Sequence, residues 1–222
     1  MFKILMDFDD TIVSRNYKID EAEREASIKN LELINKMSDR IAVISGNSYE
    51  SIKAKFSDLG INLRCDIWAD ANANLYRDDR CIESIDSLII SDDSIEIIEL
   101  ILDDIEFNKI GNPISCLKIK PVEDDIRDSL VDKINSDFYD RDISCTARKT
   151  GRTTIDILSS NNSKLAVLDN KYSEYRVLFI GDEVFGGNDR EIAEASNSCI
   201  NVKSVIETSL ILEGIYKWYM DL

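Results

Sequence analysis

Apolar and polar positions along this chain switch between a strand-like and a helix-like period, and the switching outlines a layered protein. Phe2 to Ile12 reads FKILMDFDDTI, an apolar run that ends on Asp7, Asp9, Asp10 and Thr11. A short run of this kind predicts a buried strand whose end meets solvent. Val13 to Ile19 is polar and predicts a loop or small flap. Asp20 followed by Glu23 has the spacing of a capping box, and Ala22, Ala26, Leu31, Ile34 and Met37 recur at helical intervals. Ile41 to Ile44 predicts a second strand, and Ser45-Gly46-Asn47-Ser48 follows it, with Ser48 as the N-cap of a helix that Gly60 ends. Arg64 to Ala69 reads as a third strand and Ala73 to Tyr76 as a short extension of the sheet. The order strand, helix, strand, helix predicts right-handed parallel crossovers.

From Arg77 the pattern changes. A helical segment from about Ser91 to Asp104 leads to an alternating run from Ile114 to Lys120, and a second helix from Val122 to Phe138 places Ile126, Leu130, Ile134 and Phe138 on one face. Ile143 to Lys149 and Thr153 to Leu158 then predict a hairpin around Thr150-Gly151-Arg152. Helices and antiparallel strands lodged between parallel units imply an inserted second domain, residues 78–158, between two pieces of a main domain, 1–77 and 159–222. The main domain resumes with Asn161 or Asn162 as cap of a short helix carrying Lys164, Leu165 and Leu168. Arg176 to Ile180 is another buried strand and runs into Gly181-Asp182-Glu183-Val184-Phe185-Gly186-Gly187-Asn188-Asp189. Cys199 to Val202 supplies a last strand and Val205 to Tyr219 a closing helix.

Composition narrows the chemistry. The chain has 222 residues, enough to bury a core, and a formal charge of −16, which opposes binding to nucleic acid or an anionic membrane surface. Neither partner is expected. It contains no histidine, so any acid, base or metal ligand is a carboxylate, lysine, tyrosine or cysteine. Cys65, Cys81, Cys116, Cys145 and Cys199 form no CxxC pair, a pattern of reduced thiols rather than of a disulfide frame or a zinc site. No stretch has the length of a membrane span and no cleavable leader is evident, so a cytoplasmic protein is expected, as a monomer or homodimer.

Functional groups gather where strands end. Carboxylates as close as Asp7 and Asp9 repel unless a cation lies between them, and hard oxygen ligands suit Mg²⁺. With its charge offset, Asp7 could attack phosphorus while Asp9 handles the leaving group's proton; a capped strand end with solvated acids is the alternative. Ser45 and the backbone N–H groups at Gly46 stand at a helix start, where phosphate oxygens are held, unless the segment is only a turn. Lys164 is a cation in the first turn of a helix, opposed by the helix dipole, and a phosphate or Asp7 would compensate. Asp182 could complete a metal site, with Asn188 and Asp189 behind it. In the insertion, Lys118, Lys120, Arg148 and Arg152, with Lys149, offer a cationic patch; on their strands Lys118, Lys120 and Arg148 could share a face.

Asp7-Phe-Asp9-Asp-Thr11, Ser45, Lys164 and Gly181-Asp182 with Asn188-Asp189 together resemble the four motifs of the haloacid dehalogenase superfamily. The placement of the insertion is similar to the branch containing Cof-type sugar-phosphate phosphatases, sucrose- and trehalose-phosphate phosphatases and eukaryotic phosphomannomutase. The resemblance implies a Rossmann-like three-layer α/β core with a mainly parallel sheet, plus a smaller inserted α+β cap that reads the substrate. It implies Asp7 as nucleophile, passing through an aspartyl phosphate, and Asp9 as general acid and base. Mg²⁺ would be held by Asp7, the Asp9 carbonyl and Asp182, and the phosphoryl group by Thr11, Ser45 and Lys164. The expected activity is hydrolysis of a small phosphorylated metabolite, a sugar phosphate above all. A hexose phosphomutase and a non-catalytic phosphate-responsive module stay open. Arg15 falls one position early, and Asn47 stands where many relatives carry arginine, departures that weaken the anchoring a mutase needs.

Overall fold

The first apolar run forms β1 (Phe2–Asp7), in a computed structural model that describes residues 1–103, 108–112, 116–120, 124–150, 154–185 and 188–220. On one side of β1 lie β2 (Ile41–Ile44), β3 (Asp66–Ala69), β4 (Asn74–Arg77) and β5 (Arg80–Ser84), and on the other β10 (Arg176–Gly181) and β11 (Ser198–Asn201). The five strands from β11 to β3 are parallel and β4 and β5 are antiparallel. The chain builds outward from β1 through β2 and β3, then returns to the opposite side as β10. The sheet therefore reverses its winding between β1 and β10, the place where ligands of open α/β sheets bind beyond the strand ends. Pairing of Asp7 with Ile44 and of Met6 with Ile180 brings the ends of β2, β1 and β10 side by side.

The strands are largely apolar on both faces because both sheet faces are covered. Ile4, Met6, Val43, Ile67 and Ile180 pack with α1 (Glu21–Lys36), α2 (Tyr49–Leu59) and α7 (Val205–Met220) through Leu31, Ile34, Ile52, Phe56 and Leu212. Leu5, Trp68 and Phe179 are buried on the alternate positions, where the Trp68 indole donates to the Tyr172 hydroxyl at 3.1 Å. That side carries α5 (Lys164–Val167), a π-helical turn (Leu168–Tyr172) and α6 (Arg190–Ala195). Inside the first layer, buried Asn30 donates to the carbonyls of Ile12 and Val205 and accepts from the Ser209 hydroxyl. One amide thus joins α1, α7 and the loop after β1.

The helix ends follow the sequence signals with two corrections. Asp20 accepts from the Glu23 N–H, but the Glu23 carboxylate accepts from the Ser14 hydroxyl, so the capping box is half formed. The cap of α5 is Ser163, which accepts from the Ala166 N–H, not Asn161 or Asn162. Ser48 and Gly60, at φ 73°, bound α2 as expected. Ala22 is exposed rather than buried.

Two units partition the chain, residues 1–84 with 163–222, and residues 85–162. The first break falls at Ser84 instead of Arg77 because of β5, whose residues are all exposed and carry no hydropathy signal. Asp78 and Asp79 join β4 to β5 at φ 49° and 61°, the left-handed pair that a two-residue hairpin turn demands, without the glycine that usually marks one.

The second unit is α+β. Its sheet runs β6 (Asn108–Asn112), β7 (Cys116–Lys120), β9 (Thr154–Ser159), β8 (Cys145–Thr150), antiparallel throughout. With α3 (Asp92–Asp103) and α4 (Asp124–Asp140) it encloses Ile98, Ile119, Ile134, Phe138, Ile155 and Ile157. Ile126, expected on the buried face of α4, is exposed. At the edge strand β8 the Asn135 amide bonds both backbone groups of Ala147, so that stretch of edge is already paired. Cys65, Cys116 and Cys145 are buried and Cys81 and Cys199 exposed, all free. Among the described residues no helix is long and apolar enough to cross a membrane.

Candidate active site

Asp7 ends β1 almost fully buried. One carboxylate oxygen each from Asp7, Asp182 and Asp189 falls within a 4.8 Å cluster. Asp182 arrives by the parallel pairing of β10 with β1, and Asp189 reaches the cluster from the N-cap of α6. The room for Asp189 comes from Gly181: a Cβ there would lie 2.2 Å from Asp189 Oδ2 and 2.8 Å from the Phe179 ring. Glycine is required here for close approach, and its φ is unexceptional.

Lys164 is the first residue of α5 and is 4% exposed, so it is no solvated lysine. Its Nζ donates to Asp7 Oδ1 and to Asp189 Oδ1, with Asn188 Oδ1 at 3.5 Å. Burial works against the Lys164 charge, yet Asp7 and Asp189 outweigh it and hold its pKa above the usual lysine range. Burial pushes Asp7 up to about 7, against the pull of Lys164, and Asp182 is raised by burial and by Asp189. Burial is the first cause of the rise at Asp7 and Asp182, and repulsion from Asp189 adds to both. A divalent cation among hard oxygen donors would relieve that repulsion.

Asp189 stands further forward than the sequence suggested, within the oxygen cluster. Its Oδ1 is held by Lys164 and its Oδ2 accepts from the Glu183 N–H at 3.4 Å, so both oxygens already have partners. Asn188 is exposed, and Gly186 and Gly187 lie outside the described residues.

Asp9 is separate from that cluster. Its Oδ2 accepts from Asn47 Nδ2 at 2.6 Å and its Oδ1 from Lys55 Nζ. Asp10 takes a left-handed φ of 56°, steadied by the Arg15 N–H and guanidinium on its carboxylate. Buried Thr11 donates its hydroxyl to Asp182 Oδ1 at 3.4 Å. Ser45 is buried, but its N–H donates to the Trp68 carbonyl and its hydroxyl accepts from the Asn47 N–H. The Ser45 and Asn47 N–H groups on either side of Gly46 are therefore used within the chain. Gly46 is exposed.

In the inserted unit, Lys118 on β7 and Arg148 on β8 both pair in register with Asp156 on β9. They share a face as expected, with an unexpected carboxylate between them, 3.6 Å from Lys118. Asp156 is 7% exposed, and among the described residues its Oδ1 has no hydrogen-bond partner. Lys149 pairs with Asp128. Lys120 lies on β7, and Arg152 falls outside the described residues.

Sequence reading did not find Lys55, which sits inside a helix with no motif around it, nor the bond from Asn47 to Asp9. The Ser-Gly-Asn turn was visible, but only tertiary structure says where an asparagine points.

No protein-family model matches the sequence and no curated protein does. Solved structures do. A trehalose-6-phosphate phosphatase related protein aligns with 98% of this chain and 98% of its own at 16% identity and a TM-score of 0.65. The sucrose-phosphatase of Synechocystis, solved with sucrose and phosphate, covers the same shares at 15% identity and 0.64. A haloacid dehalogenase-like hydrolase from Bacteroides thetaiotaomicron aligns over 97% of this chain and 100% of its own, at 13% identity and 0.64. The chain has the fold of the haloacid dehalogenase-like hydrolases.

Proposed function

We propose that this protein is a Mg²⁺-dependent phosphatase acting on a small phosphomonoester, a sugar phosphate in particular. The observation that carries the reading is the bridge from Lys164 to Asp7 and Asp189 beside Asp182. A buried carboxylate next to an ammonium and a second acid is a nucleophile whose charge must be managed, and a binding module has no need to bury it. The phosphatases among the similar folds support the same reaction class.

Asp7 and Asp182 would hold the cation, with the Asp9 carbonyl, while Asp189 fixes Lys164. Bound there, Mg²⁺ would offset the charge of Asp7 and of the phosphoryl oxygens. The Asp7 oxygen bonds to phosphorus as the bond to the leaving oxygen breaks, and Asp9 gives that oxygen its proton. Water, losing a proton to Asp9, then attacks the aspartyl phosphate, releasing phosphate and restoring Asp7. Lys164 stays buried against the transferring group and steadies its charge in both steps. Thr11, Ser45 and Gly46 would orient the phosphoryl oxygens. We assign choice of substrate to the inserted unit, with Arg148 the exposed cation beside Lys118 and Asp156.

The test is release of inorganic phosphate across sugar phosphates, nucleotides and glycolytic acids, with and without Mg²⁺, beside Asp7→Asn. Release that needs both metal and Asp7, and no bisphosphate activator, is the expected result. Wild-type turnover by Asp7→Asn would overturn the mechanism, and turnover only with a bisphosphate activator would make the protein a mutase.

A further inference from the structure

Asp9 is the residue on which proton transfer depends, yet both of its carboxylate oxygens are tied down away from the Asp7, Asp182 and Asp189 cluster. Asn47 holds Oδ2 at 2.6 Å and Lys55 holds Oδ1. Both anchors come from one strand-turn-helix unit, since Asn47 follows β2 and Lys55 lies on α2. That unit is fixed in turn: the Tyr49 N–H at the start of α2 donates to Asp70 Oδ1 at 3.0 Å, and Ile52, Phe56 and Leu59 are buried. Lys55 is itself confined. Its side chain is 19% exposed, and its Nζ lies 5.2 Å from the ring centroid of Phe8, the buried residue between Asp7 and Asp9. The Phe8 ring packs edge-on against Phe56 of the same helix. The ammonium therefore meets Asp9 from a prepared position.

We propose that Lys55 is a positioning residue for Asp9. With Asn47 it separates two carboxylates that are close in sequence, leaving Asp7 alone to join the metal cluster while Asp9 is held for proton transfer. This inference rests on the phosphatase reading and assigns a division of labour that the motif by itself does not contain. Lys55 does not touch phosphorus or the leaving group; it acts through the Asp9 side chain.

An aryl leaving group tests this, because nitrophenolate departs without being protonated and an alkoxide does not. For Lys55→Gln, kcat/KM should fall on the order of a hundredfold on β-glycerophosphate, the usual share of a general acid, and at least about tenfold less on p-nitrophenyl phosphate. Lys55→Arg, which keeps the charge and the donor, should recover most of the loss. Equal losses on both substrates, a rise in KM alone, or no loss would overturn the proposal while leaving the phosphatase reading intact. A wild-type chain inert on both substrates and on the sugar phosphates would overturn the phosphatase reading and this proposal with it. Should Lys55→Gln not fold, Lys55→Met carries the test with the same two substrates: a loss at least about tenfold larger on β-glycerophosphate is the expected result, and equal losses or no loss overturn the proposal.

Discussion

Lys164 Nζ lies between Asp7 and Asp189, donating to one carboxylate oxygen of each. Asp7 ends β1 and Asp189 stands at the N-cap of α6, so one ammonium at the start of a short helix links the first and last parts of the site. Lysine is a poor choice for the first turn of a helix on dipole grounds, and the paired carboxylates are what make the position tolerable.

Removing that ammonium should be costly. Lys164→Met leaves Asp7 and Asp189 buried without their cation, and breaking a buried pair by deleting one partner costs about 3–5 kcal/mol. Chemical denaturation in EDTA would show it as a lower midpoint at unchanged slope. A change under about 1 kcal/mol, the scale of an exposed pair, would mean that the bridge is not closed in solution.

The opposite substitution should stabilise the metal-free protein. Burial raises Asp7 from its ordinary 3.8 to about 7, so ionisation of Asp7 opposes folding, and stability is lost as pH rises from about 4 through about 7. Asp7→Asn removes that charge and should raise the melting temperature in EDTA, more at pH 8 than at pH 5, while phosphate release falls about a thousandfold or more. An equal gain at both pH values would contradict the burial argument.

Cation binding should be visible as stability. Ligand that binds only the folded state contributes about 2.7 kcal/mol at a hundred times its dissociation constant, so Mg²⁺ should raise the melting temperature of the EDTA-treated protein. Asp182→Asn should abolish most of that rise, since Asp182 is not bonded to Lys164 and its loss leaves the bridge in place. A full Mg²⁺ response from Asp182→Asn would move the cation elsewhere.

Gly181→Ala tests the close approach behind the cluster. Its Cβ would meet Asp189 Oδ2 at 2.2 Å, far inside contact distance, so Asp189 must give way and take Lys164 with it. Overpacking of this kind costs about 1–3 kcal/mol. The expected result is a less stable protein with weakened phosphate release; unchanged activity would show that Asp189 can move freely.

Much of this was legible in the chain alone. The strands β1, β2 and β10 are read from the apolar stretches Ile4–Met6, Ile41–Ile44 and Val177–Ile180, because a sheet covered on both faces leaves few polar positions to confuse the pattern. Asp7 and Asp182 stand out in the chain by their place at the ends of apolar runs, and Lys164 by a charge the helix dipole opposes. Ser48 and Gly60 declare the ends of α2 by local chemistry. Such signals are short-range, and short-range signals survive in sequence.

Other features needed the folded chain. β5 is exposed on every residue and follows an Asp-Asp turn, so neither periodicity nor glycine marks it, and its pairing with β4 decides where the first unit ends. The Asp156 carboxylate between Lys118 and Arg148 depends on strand register, which one strand's sequence does not state. The clamp of Asn47 and Lys55 on Asp9 joins residues 38 and 46 positions apart and so depends on where the turn after β2 and α2 come to lie beside the end of β1. Sequence alone named the acids; which of them meet, and which is held apart, is set by contacts between residues remote along the chain, and no local pattern encodes those distances.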